Sequence, residues 1–304
     1  MKIHRVLNTL RDTLSGKDKA IELSLICLFA QGHLLIEDLP GIGKTTLALV
    51  LAKTLGLTFG RIQGTSDLLP SDITGSSVYN KRTESFVFQK GPIFNNVVLV
   101  DEINRMSPKT QSALLEPMEE GQVTVDGVTY SLPKPFFLIA TQNPIEYFGT
   151  FPLPEAQLDR FLMKISIGYP PRAIEREILQ RGSLRDEKLG VQAILTPDEV
   201  LAIQSEVKKV KVSEKVLDYL LDLVEKTREH PYIRVGLSSR GALSLLAVSK
   251  ARAYLQDRDF VIPEDIKELS FYVIPHRILL QEEYVGKEKT LLKEILEDLK
   301  APVQ

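Results

Sequence analysis

The sequence predicts an α/β protein with a core built on a parallel sheet and a second, helical domain from about residue 169 onward. Three observations predict it. A short apolar run at residues 33–36 passes through a glycine-rich turn into a helical run at 47–55. Val97, Val98, Leu99 and Val100 make a strand with no polar face, ending in the carboxylates Asp101 and Glu102. A strand apolar on both faces fits a parallel sheet covered on both sides. Beyond Gly168-Tyr169-Pro170-Pro171 the β-like runs cease and helical periodicity dominates.

The elements follow in order. Residues 1–31 read as helices around Ser15-Gly16-Lys17, with Ile21, Leu25, Leu28 and Phe29 on one face and Gly32 as a terminating glycine. Residues 33–36 are the first strand and 58–63 the second. Two short β-like pieces, 77–79 and 85–89, flank the polar turn 80–84 and read as an inserted hairpin whose aromatics Tyr79, Phe86 and Phe88 either pack on the body, the favoured reading, or project into a partner. After the Asp-Glu strand, 108–120 is expected to be one helix, perturbed late by Pro117 and ended by Gly121. Asp126-Gly127 between alternating runs at 122–125 and 128–132 signals a second hairpin. Residues 136–140 and 163–167 are the remaining strands. In the second domain the predicted helices are 173–181, 197–208, 213–228, 239–256 and 263–280, with an amphipathic charged helix at 287–300. Thr196-Pro197 and Ser213-Glu214 fit helix starts.

The chemistry concentrates at four places. The turn Asp38-Leu39-Pro40-Gly41-Ile42-Gly43-Lys44-Thr45-Thr46 lies between a strand and a helix. Its glycines let successive N–H groups point inward, and the helix N-terminus adds partial positive charge, so Pro40 to Thr46 form a phosphate cradle. Lys44 is placed to reach the β- and γ-phosphates and the Thr45 hydroxyl to ligate Mg²⁺. Asp38 stands where the phosphate-loop consensus has its first glycine. Asp101, at the carboxyl end of a buried strand, suits a metal held through its water shell, and Glu102 suits a group that orients or activates water. Asn143, pushed toward an extended conformation by Pro144, ends the next strand; it reads either as a cap of the turn before the proline or, the favoured reading, as a group that senses the γ-phosphate or the attacking water. Arg160 follows Asp159 on a short helix; it reads either as an ion-pair partner of Asp159 or Glu155, or as a guanidinium reaching a neighbouring subunit's site.

Bulk properties exclude several classes. The net charge is −2 and is spread evenly, −1 in residues 1–169 and −1 in 170–304, unlike a basic nucleic-acid-binding domain. The single cysteine, Cys27, lies in an apolar run and builds neither a disulfide framework nor a thiolate metal cluster. His4, His33, His230 and His276 lie far apart with no ligand spacing. No run of eighteen apolar residues exists, so no membrane span is expected; the N-terminus lacks a signal-peptide core, and the cytoplasm is the expected compartment.

With these parts in this order the chain resembles the AAA+ ATPases, and within them the MoxR family. The resemblance spans nearly the whole length. It rests on Gly41-Ile42-Gly43-Lys44-Thr45, Val100-Asp101-Glu102-Ile103-Asn104-Arg105, Ala140-Thr141-Gln142-Asn143-Pro144 and Leu153-Pro154-Glu155-Ala156-Gln157-Leu158-Asp159-Arg160-Phe161. It implies an αβα core at 1–168 with a five-stranded parallel sheet of order 5-1-4-3-2, and a helical lid at 169–304. It implies that residues 77–89 are the helix-2 insertion and 122–132 the hairpin before sensor 1. Asn143 would be sensor 1, Arg160 the arginine finger and Arg240 sensor 2. The family usually has Pro where this chain has Ser239, and Arg240 is left open between action in cis and in trans. The implied activity is Mg²⁺-dependent ATP hydrolysis by a ring, expected to be a hexamer. The ring would remodel or activate a client protein, with von Willebrand factor A domain partners or metal-cofactor insertion as examples, and the hairpins would line the pore or contact that client. Two other classes compete. A nucleic-acid motor or loader is disfavoured by the even charge, and a nucleotide-gated scaffold with little hydrolysis by the presence of both Glu102 and Arg160.

Overall fold

The computed structural model describes residues 2–144, 149–181 and 190–300. The helices are α1 (Lys2–Thr13), α2 (Asp18–Phe29), α3 (Lys44–Thr54), α4 (Pro70–Thr74), α5 (Pro108–Ser112), α6 (Leu115–Glu120), α7 (Glu155–Leu158), α8 (Arg172–Arg181), α9 (Pro197–Lys209), α10 (Glu214–Glu229), α11 (Ser239–Leu255), α12 (Pro263–Val273) and α13 (Glu288–Asp298). The strands are β1 (Leu34–Glu37), β2 (Phe59–Gln63), β3 (Gly75–Asn80), β4 (Ser85–Lys90), β5 (Val97–Asp101), β6 (Gln122–Val125), β7 (Val128–Ser131), β8 (Phe137–Gln142), β9 (Met163–Ile165), β10 (Ile233–Val235) and β11 (Leu279–Leu280).

Five strands form the central sheet in the order β2-β5-β8-β1-β9. Counting only sheet strands along the chain, this is the expected 5-1-4-3-2 arrangement. Pairing is parallel, with Val97 opposite Phe137, Leu34 opposite Ile139 and Phe59 opposite Val97. Residues Val97 to Val100 and Phe137 to Thr141 are fully buried, as strands covered on both faces must be. β3–β4 and β6–β7 are separate antiparallel hairpins, each a little different in extent from its predicted range.

The chain divides into two compact units. One comprises residues 1–25, 33–154 and 165–201; the other comprises 26–32, 155–164 and 202–304. The expected division at 168/169 lies inside the first unit. Residues past it return to the core there: the Ile194 N–H donates to the Thr54 carbonyl at the end of α3, and Leu195 is buried.

Three expectations are corrected. The helix predicted over 263–280 ends at Val273. Pro275 supplies no N–H and its ring opposes the carbonyl four residues back, so the helix cannot run through it. The chain then pairs β11 with β10, so β structure does recur in the second unit. The helix predicted over 108–120 is two helices, α5 and α6, because Pro117 removes the bond that would bridge residue 113. The hairpin aromatics also divide. Phe88 stacks on Tyr130 with centroids 4.1 Å apart and meets Phe94 edge-on, whereas Phe86 is 72% exposed and touches only Tyr79 among the aromatic pairs.

His33, at the entrance to β1, is a structural histidine. Its Nδ1 accepts from the Leu138 N–H at 3.1 Å, and its Nε2–H donates to the Met118 carbonyl at 3.0 Å. Burial pushes its pKa down to about 4. The unfolded chain therefore takes up a proton near pH 6.5 that the native ring refuses until about pH 4. Stability from this group is complete above pH 6.5 and is lost as pH falls toward 4, by about 3 kcal/mol at most. Urea melts at pH 7 and pH 4.5 should show that slope in the wild type and a shallower one in His33→Gln. Equal slopes would mean the ring titrates normally.

Candidate functional site

Parallel register brings the predicted site residues of the first unit to one edge of the sheet. β8 lies between β1 and β5, with Glu37 opposite Gln142 and Val100 opposite Ala140. The loop 38–46, the pair Asp101–Glu102 and Asn143 thus all leave the carboxyl ends of three adjacent strands. Ligands of open α/β sheets bind at that edge.

The loop has the backbone that a phosphate cradle requires. Gly41 and Gly43 have φ of +82° and +85°, values an L side chain rarely adopts, and Gly43 caps α3. Ile42 lies between them, and Thr45 and Thr46 sit in the first turn of α3. Lys44, the first residue of α3, is buried and donates from Nζ to the Asp38 carbonyl at 2.6 Å. Lys17 donates from Nζ to the Ile42 carbonyl at 2.6 Å, a second cation on the loop that no motif signals. The departure from consensus at Asp38 also has a reason. Its Oδ1 accepts from the Leu39 N–H at 2.8 Å, and its Oδ2 accepts from the N–H groups of Ile167 and Gly168, both at 2.7 Å. A glycine there would leave the start of the loop untied from the segment after β9.

At the neighbouring strand ends Thr141 joins the two carboxylate residues. Its hydroxyl donates to Asp101 Oδ1 at 2.6 Å and accepts from the Glu102 N–H at 2.9 Å. Arg61 on β2 donates to Asp101 Oδ2 at 2.8 Å. Glu102 has φ of +57°, a conformation uncommon for a side chain of its size. Its carboxylate is held by Gln63 Nε2 at 3.1 Å and Arg105 Nε at 3.2 Å. A Cβ at Gly64 would lie 2.3 Å from the Glu102 carbonyl, so only glycine allows β2 to exit beside this turn. Asn143 is buried at the tip of β8. Sequence reasoning missed Thr141, Arg61 and Lys17. Thr141 stood inside a recognised motif, and only its buried hydroxyl in an otherwise apolar strand marked it.

The oxygen donors fit Mg²⁺ rather than a protein-caged metal. Among the described residues no group of three or more His, Cys, Asp or Glu side chains converges. A single carboxylate with a hydroxyl suits an ion that keeps its waters and takes phosphate oxygens as its other ligands.

Arg160 and Arg240 belong to the second unit, where they lie together around Asp159. Arg277 Nε donates to Asp159 Oδ1 at 2.8 Å, and Arg240 Nε is 3.7 Å from Asp159 Oδ2. Desolvation and then the neighbouring Arg240 lower the pKa of Arg160. Burial lowers that of Arg277 to about 10, so it stays charged at neutral pH. Ser238 caps α11 by accepting from the Gly241 N–H, which leaves Ser239 at the first helical position. Proline suits that position because its N–H is not needed, and serine satisfies the same geometry.

Residues 33–163 match the ATPase family associated with various cellular activities (AAA), and residues 225–298 match the AAA lid domain. The chain is 48% identical to YeaC of Bacillus subtilis, over 95% of this chain and 91% of that protein. It is 38% identical to Chaperone MoxR1 of Mycobacterium tuberculosis, over 94% and 78%. A solved structure from Cytophaga hutchinsonii, described as a candidate ATPase, is 41% identical and superposes with a TM-score of 0.90 over 99% of this chain and 97% of its own.

Replacing Thr141 by valine removes the bridging hydroxyl at nearly constant volume. The expected cost is about 1–3 kcal/mol of stability, together with slower ATP turnover and little change in nucleotide Kd. Thr141→Ser keeps the hydroxyl and should retain both properties. Denaturant melts and steady-state rates check this; a valine variant equal to wild type would remove Thr141 from the site.

Proposed function

The chain belongs to the MoxR family of AAA+ ATPases, and from that premise we propose Mg²⁺-dependent ATP hydrolysis by a ring oligomer that remodels or activates a client protein. The observation that carries the reading is the shared strand edge, where the loop 38–46, Asp101–Glu102 and Asn143 meet. Pro40 to Thr46 cradle the phosphates with backbone N–H groups, and Lys44 exchanges the Asp38 carbonyl for phosphate oxygen. Thr45 and Asp101 would hold Mg²⁺, which when bound would supply positive charge against the phosphates. Glu102, aimed by Thr141 and its own strained backbone, orients the attacking water. Asn143 contacts the γ-phosphate or that water.

Arg160 acts on the nucleotide of the adjacent subunit, which makes the ring, read as a hexamer, the active form. Arg240 contributes as sensor 2. The name of the Mycobacterium tuberculosis relative supports a chaperone-like output. The client contact is assigned to the hairpins, supported by Tyr79 and Phe86, which project from β3–β4. A client with a von Willebrand factor A domain, or one that receives a metal cofactor, fits the family. Among the described residues no helix is long and apolar enough to cross a membrane, in keeping with action in the cytoplasm.

ATPase rate against protein concentration, for wild type, Glu102→Gln and Arg160→Ala, tests the reading. The specific rate should rise as rings assemble. Each variant alone should be at least a thousandfold slower, since an arginine supplied in trans is worth ~10³–10⁵ in rate. Mixing the two variants should restore activity, because one supplies an intact site and the other the arginine. A concentration-independent rate untouched by Arg160→Ala would overturn the shared site.

A further inference from the structure

Arg160 sits on a segment too short to fix itself. α7 has four residues, and isolated helices of that length do not persist. The turn that follows it exposes the carbonyls of Asp159, Phe161 and Leu162, which helical bonding leaves unpaired. One side chain takes up all three. Arg277, 2% exposed, lies 118 residues away in sequence from Asp159. Its Nη2 donates to the Asp159 and Phe161 carbonyls at 3.2 and 2.7 Å. Its Nη1 donates to the Leu162 and Val273 carbonyls at 3.2 and 2.7 Å, and its Nε donates to the Asp159 carboxylate. Nη1 also meets His276 Nε2 at 2.7 Å, so every N–H of the fork is engaged, and four of the six contacts bracket Arg160. A cation at the carboxyl end of a helical turn is also favoured by the turn's dipole.

The same guanidinium reaches toward the start of α11. Asp159 is shared between Arg277 on Oδ1 and Arg240 on Oδ2. A Cβ at Gly241 would lie 3.1 Å from Arg277 Cδ, so the first turn of α11 packs directly on the Arg277 stem. We infer that Arg277 is a positioning residue for Arg160, setting its guanidinium for an anion brought by a neighbouring subunit. This rests on the reading of Arg160 as the arginine that acts in trans. Lysine cannot substitute: its ammonium has three donors and no planar fork, whereas Arg277 makes six contacts in several directions.

The test is Arg277→Lys in the full chain, with Asp159→Asn as a milder variant that keeps an acceptor for Nε but removes the shared charge. Arg277→Lys should lower kcat about a hundredfold, the scale of a roughly 1 Å misplacement, with KM and the Kd for a fluorescent ATP analogue unchanged. Mixed with Glu102→Gln it should regain activity, since its own nucleotide site is intact and the partner subunit supplies a well-placed Arg160. Arg160→Ala mixed with Glu102→Gln is the reference. If the reference regains activity while Arg277→Lys either keeps wild-type kcat or is not rescued, the positioning role is wrong. If the reference fails, the shared-site reading falls and the inference with it. Should Arg277→Lys not fold, Asp159→Asn decides: reduced kcat with rescue in the mixture supports the role, and wild-type kcat overturns it.

Discussion

The site depends on β8 running parallel between β1 and β5. Parallel neighbours send all their carboxyl ends to one edge, and residues far apart in sequence meet there without any local turn to arrange them. The phosphate loop leaves β1, the carboxylate pair leaves β5, and Asn143 leaves the strand between. Register alone brings strand ends level; it does not aim side chains. Aiming falls to hydrogen bonds at the edge, and Thr141 supplies the central two. By donating to Asp101 and accepting from the Glu102 N–H, one hydroxyl fixes both the Asp101 carboxylate and the backbone turn at Glu102. Glu102 adopts positive φ at that turn, a cost the surrounding bonds must outweigh.

The second unit arranges its cations by a different logic. Asp159 has one rigid partner and one loose one. Arg277 is buried, charged and saturated with acceptors, so moving it would leave several groups unpaired. Arg240 is half exposed and 3.7 Å from the same carboxylate, a contact worth about 0–1 kcal/mol. A cation in the first turn of α11 also opposes the helix dipole. The arrangement therefore holds the Arg160 segment firmly, while the contact of Arg240 with the same carboxylate is weak.

Much of this was legible in the sequence, for physical reasons that differ by residue. The glycines, Lys44 and Thr45 are readable because a phosphate cradle needs fixed backbone angles at fixed spacing. The β5 strand is readable because burial on both faces leaves no polar residue before Asp101. Asp38 was legible only as a departure, since its bonds run to Ile167 and Gly168 across the sheet. Thr141 carries only a faint local signal, a hydroxyl in an apolar strand, and Arg277 carries none. A threonine in a strand is ordinary, and an arginine 118 residues from its carboxylate shows nothing until the chain is folded. The late helix failed at Pro275, where a breaker inside an apolar run outweighed the periodicity around it.

The two hairpins meet in an aromatic cluster beside the starts of two sheet strands. Phe88 of β4, Tyr130 of β7 and Phe94 form a cluster of three rings. Phe94 lies three residues before β5, and the β6–β7 hairpin leads directly into β8. The cluster thus sits on the segments that feed the starts of the two strands whose far ends carry Asp101, Thr141 and Asn143. Strands of five or six residues span about 17–20 Å, so the rings and the site residues lie at opposite ends of the same two strands. Val123 and Leu132 are buried while Tyr79 and Phe86 project. Excising residues 122–132 would therefore remove core along with surface, whereas the projecting pair is the part able to meet another protein without unpacking the sheet.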